Sequence, residues 1–194
     1  MMKGFTMGLK KLVLASSILV STLFAGTYNV DSEHTDIGFK VRHMMISNVK
    51  GNFNNFSGVF QYDEKSNALK DLEGKIKTSS INTSHKKRDD HLKSADFFDV
   101  KKYPYITFKS TKIENDKIYG DITIKGQTKN INLSLENGGT IKDPWGKQRA
   151  GFALSGKIKR SDFGLTYNSF LETGGVAIGD IVKFDIEIEG IKKR

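Results

Sequence analysis

Four histidines, at positions 34, 43, 85 and 91, are the first residues to weigh as chemistry. No two of them stand at the i, i+2 strand spacing or the i, i+4 helix spacing from which a zinc site is assembled. His85 and His91 are six apart on a predicted helix and so face different ways. Cysteine is absent, which removes disulfides and thiolate chemistry. A nucleophilic serine would need a G-x-S-x-G elbow, and a phosphate cradle would need G-x-x-x-x-G-K-[ST]. Neither string occurs, and Gly138-Gly139 and Gly174-Gly175 read as turns. Carboxylates are plentiful, but they stand on the polar side of alternating segments or in turns, where solvation accounts for them. The residues therefore predict no catalytic group, no metal site and no cofactor.

Another kind of chemistry is better supplied, the burial of apolar matter. The chain holds 13 Phe, 6 Tyr and a single Trp. The elements that must position these rings are strands, because the dominant signal after residue 28 is period two. Ile37, Phe39 and Val41 alternate with polar neighbours, and so do Phe56-Gly58-Phe60-Tyr62, Leu72-Gly74-Ile76 and Ile106-Phe108. Ile118-Gly120-Ile122-Ile124, Ile131-Leu133-Leu135, Ala150-Phe152-Leu154-Gly156-Ile158 and Val182-Phe184-Ile186-Ile188 continue the pattern. Turn signals separate them at Glu64–Asn67, Glu114–Lys117, Lys125–Gln127, Asn137–Gly139 and Asp143–Gly146. About eight short strands with one apolar face each predict an all-β fold, a sandwich or a closed barrel. A closed sheet of eight strands has an interior that side chains only just fill, or that holds one small ligand. Gly58, Gly74, Gly120 and Gly156 fall on the inward phase and either keep room in that interior or let the strands coil sharply.

Two stretches break the alternation. His43–Lys50 is short and apolar on one side. Thr83–Asp96 has a Ser/Thr start and helical spacing, with Arg88, His91, Leu92 and Ala95 on one face. That face could look into the mouth of a barrel; equally, Leu92 and Ala95 could pack down while Arg88 pairs with a local carboxylate.

The first two dozen residues differ from the rest. Lys10-Lys11 precede an uncharged run from Leu12 to Phe24, followed by Ala25-Gly26. This predicts a secretory signal peptide over residues 1–25 and one domain over 26–194, because the apolar run is shorter than the roughly 20 residues a spanning helix needs. No stable membrane anchor is expected, and a homodimer is left open. Without Lys3, Lys10 and Lys11 the formal charge falls from +9 to +6. The lysines alternate with apolar residues instead of forming runs, which argues against a basic patch and against nucleic acid as a partner.

Several strings together resemble the YceI family of bacterial polyisoprenoid-binding periplasmic proteins. They are Tyr28–His34, Gly51-Asn-Phe53, Ser80–Thr83, Arg88–Asp99 (R-D-D-H-L-K-S-A-D-F-F-D), Tyr103–Phe108, Gly120–Lys129, Lys159–Gly164 (K-R-S-D-F-G) and Gly179-Asp180. The resemblance implies an eight-stranded antiparallel, lipocalin-like β-barrel with a short helical insertion at its mouth. It also implies a periplasmic or secreted carrier for a long-chain amphiphile such as a polyisoprenoid, an isoprenoid quinone or a fatty acid or amide. The alternatives are an enzyme acting on such a lipid and a secreted stress or interaction protein using the barrel as a scaffold. The expected lining, from strand phase, is Phe39, Val41, Phe53, Phe56, Ile76, Phe108, Ile122, Phe152, Leu154, Phe184 and Ile186. Arg88, His91 and Leu92 of the helix, with Met44 and Met45, are expected to form a lid and to meet the head group.

Overall fold

The structure is a computed structural model that describes residues 25–170, 172 and 175–194. The leader predicted over 1–25 therefore lies, apart from Ala25, outside the described residues. In chain order the elements are β1 (Ala25–Val30), β2 (Asp36–His43), β3 (Ser47–Phe53), β4 (Phe56–Asp63), β5 (Ala68–Lys77), β6 (Ile81–Asn82), α1 (Lys86–Lys93), β7 (Tyr105–Glu114), β8 (Lys117–Ile124), β9 (Gln127–Lys142), β10 (Gln148–Lys159) and β11 (Ile178–Lys192). All pairings between strands are antiparallel.

The alternating apolar residues dictate closure, because each strand has one face that must leave water and a ring of strands gives all of them the same interior. The ring runs β1-β4-β5-β7-β8-β9-β10-β11 and returns to β1 through Tyr28 opposite Lys192. That makes an eight-stranded antiparallel barrel. At its upper end β2 takes the place of β1 beside β11, with Phe39 opposite Phe184 and Val41 opposite Val182. There β3 pairs with β2 and with the short β6, and no ladder joins it to β4 or β5 among the described residues.

The stretch His43–Lys50, which breaks the alternation in sequence, is a hairpin: its turn carries Met44 and Met45 at φ 47° and 62°, and Ser47 starts β3. The turns Asn115-Asp116 and Lys125-Gly126 also have positive φ at both residues, the geometry whose twist suits tight hairpins. Shifts of register at Gln61/Tyr62, Ser110/Lys112 and Gly151/Phe152 sharpen the coil of the wall.

Side chains fill the lower end. Tyr28 stacks on Phe60 with centroids 5.2 Å apart, and Phe152 meets Phe60 edge-on at 5.0 Å. Leu69, Leu72, Ile118, Leu133 and Leu135 complete this plug. The upper core gathers Phe53, Ile81, Phe97, Ile106, Ile124, Ile158, Phe163 and Leu165.

Candidate apolar binding site

Two apolar cavities lie between the plug and the roof. The lower, about 110 Å³, is bounded by Ile37, Phe56, Gly74, Ile76, Phe108, Ile122, Leu154, Ile186 and neighbours. The upper, about 100 Å³, is bounded by Val41, Ile81, Leu92, Phe97, Phe98, Ile158, Arg160, Leu165, Ile178 and Val182. Phe39, Phe53, Ile106, Ile124 and Phe184 border both. The rings of Phe39 and Phe53 lie 5.6 Å apart, tilted by 43°, so an aromatic partition separates two chambers of one lumen. Together the chambers fall short of the about 300–1,000 Å³ usual for organic-ligand pockets, and a long chain must move the partition aside to occupy both.

Of the inward glycines, only Gly74 faces free space: a Cβ built there meets nothing within 4 Å. At Gly120 the Phe108 ring would lie 2.4 Å from such a Cβ, and at Gly156 a Leu133 methyl would lie 2.4 Å away. Gly58 is closed by the Glu73 carbonyl at 2.9 Å and by Val30. Three of these glycines therefore seat a neighbour, and one opens the lumen.

Eleven of the sixteen expected residues border the chambers: Phe39, Val41, Phe53, Phe56, Ile76, Leu92, Phe108, Ile122, Leu154, Phe184 and Ile186. Five do not. Phe152 points inward but is consumed by the plug, 3% exposed. Met44 and Met45 make no lid, because the hairpin turn carries them outward, 44% and 56% exposed. Arg88 turns back along the chain, donating from Nε to Thr83 Oγ1 at 2.7 Å and from Nη2 to the Thr83 carbonyl at 2.8 Å. Asp89 accepts from the Thr83 N–H and hydroxyl, so Thr83 is held from both sides. His91 sits 3.0 Å from an Asp96 oxygen, edge-on to Phe97 and Tyr167. The helix is also shorter than its spacing suggests: Ala95 falls beyond it, and His85 Nδ1, not a serine or threonine, accepts the capping Arg88 N–H at 3.3 Å.

The charged residue that does reach the upper chamber is Arg160, which the K-R-S-D-F-G string contains but strand phase cannot single out. The residue is 6% exposed, and its guanidinium donates to the carbonyls of Gly179 at 3.0 Å, Tyr167 at 2.9 Å, Ile178 at 3.4 Å and Leu165. Burial pushes its pKa below the usual arginine value, with the Asp180 charge acting the other way. It makes no salt bridge among the described residues, so this positive charge stands beside an apolar chamber with Asp180 acting on it only through its field.

Among the described residues three acidic or histidine side chains come close enough together to hold a cation: Asp31, Glu33 and His34. Arg149 already occupies Asp31, at 2.8 Å, and places a positive charge where the ion would sit.

A closed antiparallel barrel of eight strands, plugged at one end, roofed by a short helix at the other and hollow along an apolar axis, defines a lipocalin-like barrel. The chain belongs to the YceI-like family, whose model matches residues 28–190. It is 41% identical over 165 residues to a UPF0312 protein of Staphylococcus epidermidis, covering 84% of this chain and 95% of that one. The crystal structure of a Campylobacter jejuni YceI protein is 44% identical and superposes with a TM-score of 0.69, covering 84% of this chain and 96% of that one. A polyisoprenoid-binding domain from Saccharophagus degradans shares the fold at 14% identity, with a TM-score of 0.63, covering 86% of this chain and 98% of that one.

Proposed function

We propose that the protein is an exported, periplasmic binding protein that carries a long-chain amphiphile, with the apolar tail threaded through both chambers of the barrel. The observation that carries this reading is the lumen: two adjoining apolar cavities, divided by the Phe39 and Phe53 rings and opened at Gly74. Each methylene drawn from water into that lumen contributes about 0.8 kcal/mol, so a tail of many carbons binds tightly with few polar contacts. The Saccharophagus degradans neighbour described as polyisoprenoid-binding supports an isoprenoid tail, and the paired lysines followed by an uncharged run at the N-terminus support export. The chambers are too small for an unmoved chain, so loading is coupled to rotation of Phe39 and Phe53. The buried Arg160, which makes no salt bridge among the described residues, favours a head group that carries negative charge or a strong acceptor near the upper chamber.

Organic extraction of protein purified from its native compartment, followed by mass spectrometry, tests this reading. A lipid recovered in stoichiometric amount and absent from an unrelated exported protein is the expected result. Repeated extraction that yields none, with no uptake of added polyprenol or quinone, would remove the carrier function.

A further inference from the structure

Within single strands the lysines alternate with apolar residues, but the register brings them together. Lys157 lies opposite Lys183, Lys183 opposite Lys40, and Lys40 opposite Lys50, so four lysines form one ladder across β10, β11, β2 and β3. Like charges directly opposite on a sheet repel, and none of the four has a salt-bridge partner among the described residues. Nearer the top, Lys159 and Arg42 add positive charge, with Asp162 and Asp180 beside them, so the lysine ladder itself is the most strongly positive part of this wall. Asp185 is the first acid below it, with Asp36 and Glu187 one step lower. The basic patch that the linear sequence hides is thus built by cross-strand pairing.

The same β2–β3 hairpin ends in Met44-Met45-Ile46, of which Met45 is 56% and Ile46 80% exposed. Met44 and Met45 hold positive φ in a turn where asparagine and glycine are the ordinary occupants, and Arg42 Nε fixes the turn by donating to the Met45 carbonyl at 3.0 Å. Beside it the Met44 N–H donates to the Ala177 carbonyl at 2.8 Å, in a segment that carries Phe170, 89% exposed. Large apolar side chains presented to water on a locked turn, next to a lysine ladder, match the two parts of an anionic bilayer surface, its acyl boundary and its phosphates. The inner side of these strands presents Ile158, Val182 and Val41 to the upper chamber.

We infer that the Met44–Ile46 tip and the Lys157-Lys183-Lys40-Lys50 ladder form a docking surface for anionic membrane, which brings the upper chamber to the bilayer. The inference stands apart from the proposed cargo, since an empty barrel would bind equally well. It is tested by co-sedimentation of the mature protein with vesicles of phosphatidylcholine and phosphatidylglycerol in a three-to-one ratio, against pure phosphatidylcholine and against heparin as a soluble polyanion. The protein is expected to bind the anionic vesicles in low salt and to release them in high salt. Lys157→Glu with Lys40→Glu, which turns the ladder into alternating charges, should weaken vesicle binding at least about tenfold while leaving the melting temperature unchanged or raised. Met45→Ser with Ile46→Ser should weaken vesicle binding but not heparin binding. Trp145→Ser and the pair Lys70→Glu with Lys117→Glu, at the opposite end, should do neither. Equal binding of wild type and the ladder variant, or loss with the opposite-end pair, would overturn the assignment. Vesicle binding indifferent to Met45 and Ile46 while heparin competes fully would replace the membrane by a soluble polyanion.

Discussion

Arg88 illustrates what residue spacing can and cannot convey. The sequence places it on one helix face with His91 and Leu92, but the direction of a long side chain depends on partners that the chain brings back, here Thr83. Its role is to tie the helix start to β6, so Arg88→Ala should lower the melting temperature by several degrees. It should leave the ratio of affinities for an anionic and a neutral lipid of equal tail unchanged; a selective loss of the anionic lipid would return Arg88 to the binding site. Arg149 ties more distant parts of the chain together. It bonds Asp31 at 2.8 Å, Asp143 at 2.8 Å and Glu189, joining the β1–β2 loop, the β9–β10 turn and β11. Burial alone would raise the Asp31 carboxyl, but hydrogen bonds from Arg149 and His34 bring it down to about 2. Because the folded-state pKa is depressed, this stabilisation is present above pH about 4 and is lost as the pH falls towards 2. Acid melting curves should therefore lose a step of stability between pH 4 and 2 that Arg149→Met abolishes, and a parallel curve for the variant would show that the cluster contributes nothing.

At the scale of elements, period two was sufficient to place eight runs of inward residues, because a strand's faces are decided by its own residues. It could not show that β3 is a strand, since Val49, Gly51 and Phe53 offer only two apolar side chains in phase. Nor could it show which inward rings meet a cavity and which meet each other. Phe152 and Phe184 share a phase with their strands' other apolar residues, but one lies at the level of the plug and the other at the partition. Height along the barrel comes from register, which one sequence does not carry. The partition itself makes a prediction. Phe53→Ala should lower the stability of the empty protein by about 3–5 kcal/mol and merge the chambers. A long-chain ligand should then raise the melting temperature more in the variant than in wild type, because the tail fills the space left by the ring. A smaller ligand-induced rise in the variant would mean that Phe53 holds the ligand and does not divide the lumen.

The described residues form a barrel whose lower end is filled by packed side chains, whose middle is hollow, and whose wall is apolar inside and carries a lysine ladder outside. The inward apolar face was legible in the sequence as alternation, and so were the family strings from Tyr28 to Asp180. The free volume was not, because it is the residue left after neighbours fill the glycine positions, and only Gly74 escapes filling. That position allows the most direct test of the lumen as the binding site. Gly74→Leu adds a side chain to a strand where a Cβ has no neighbour within 4 Å, so the fold should persist with an unchanged or slightly higher melting temperature. Equilibrium titration of wild type and Gly74→Leu with one polyprenyl-chain amphiphile measures the consequence. A loss of affinity of at least tenfold in a variant that melts no lower than wild type, the factor that corresponds to about 1.4 kcal/mol, is the predicted result. Equal affinities in two equally stable proteins would place the ligand outside the barrel and contradict the account.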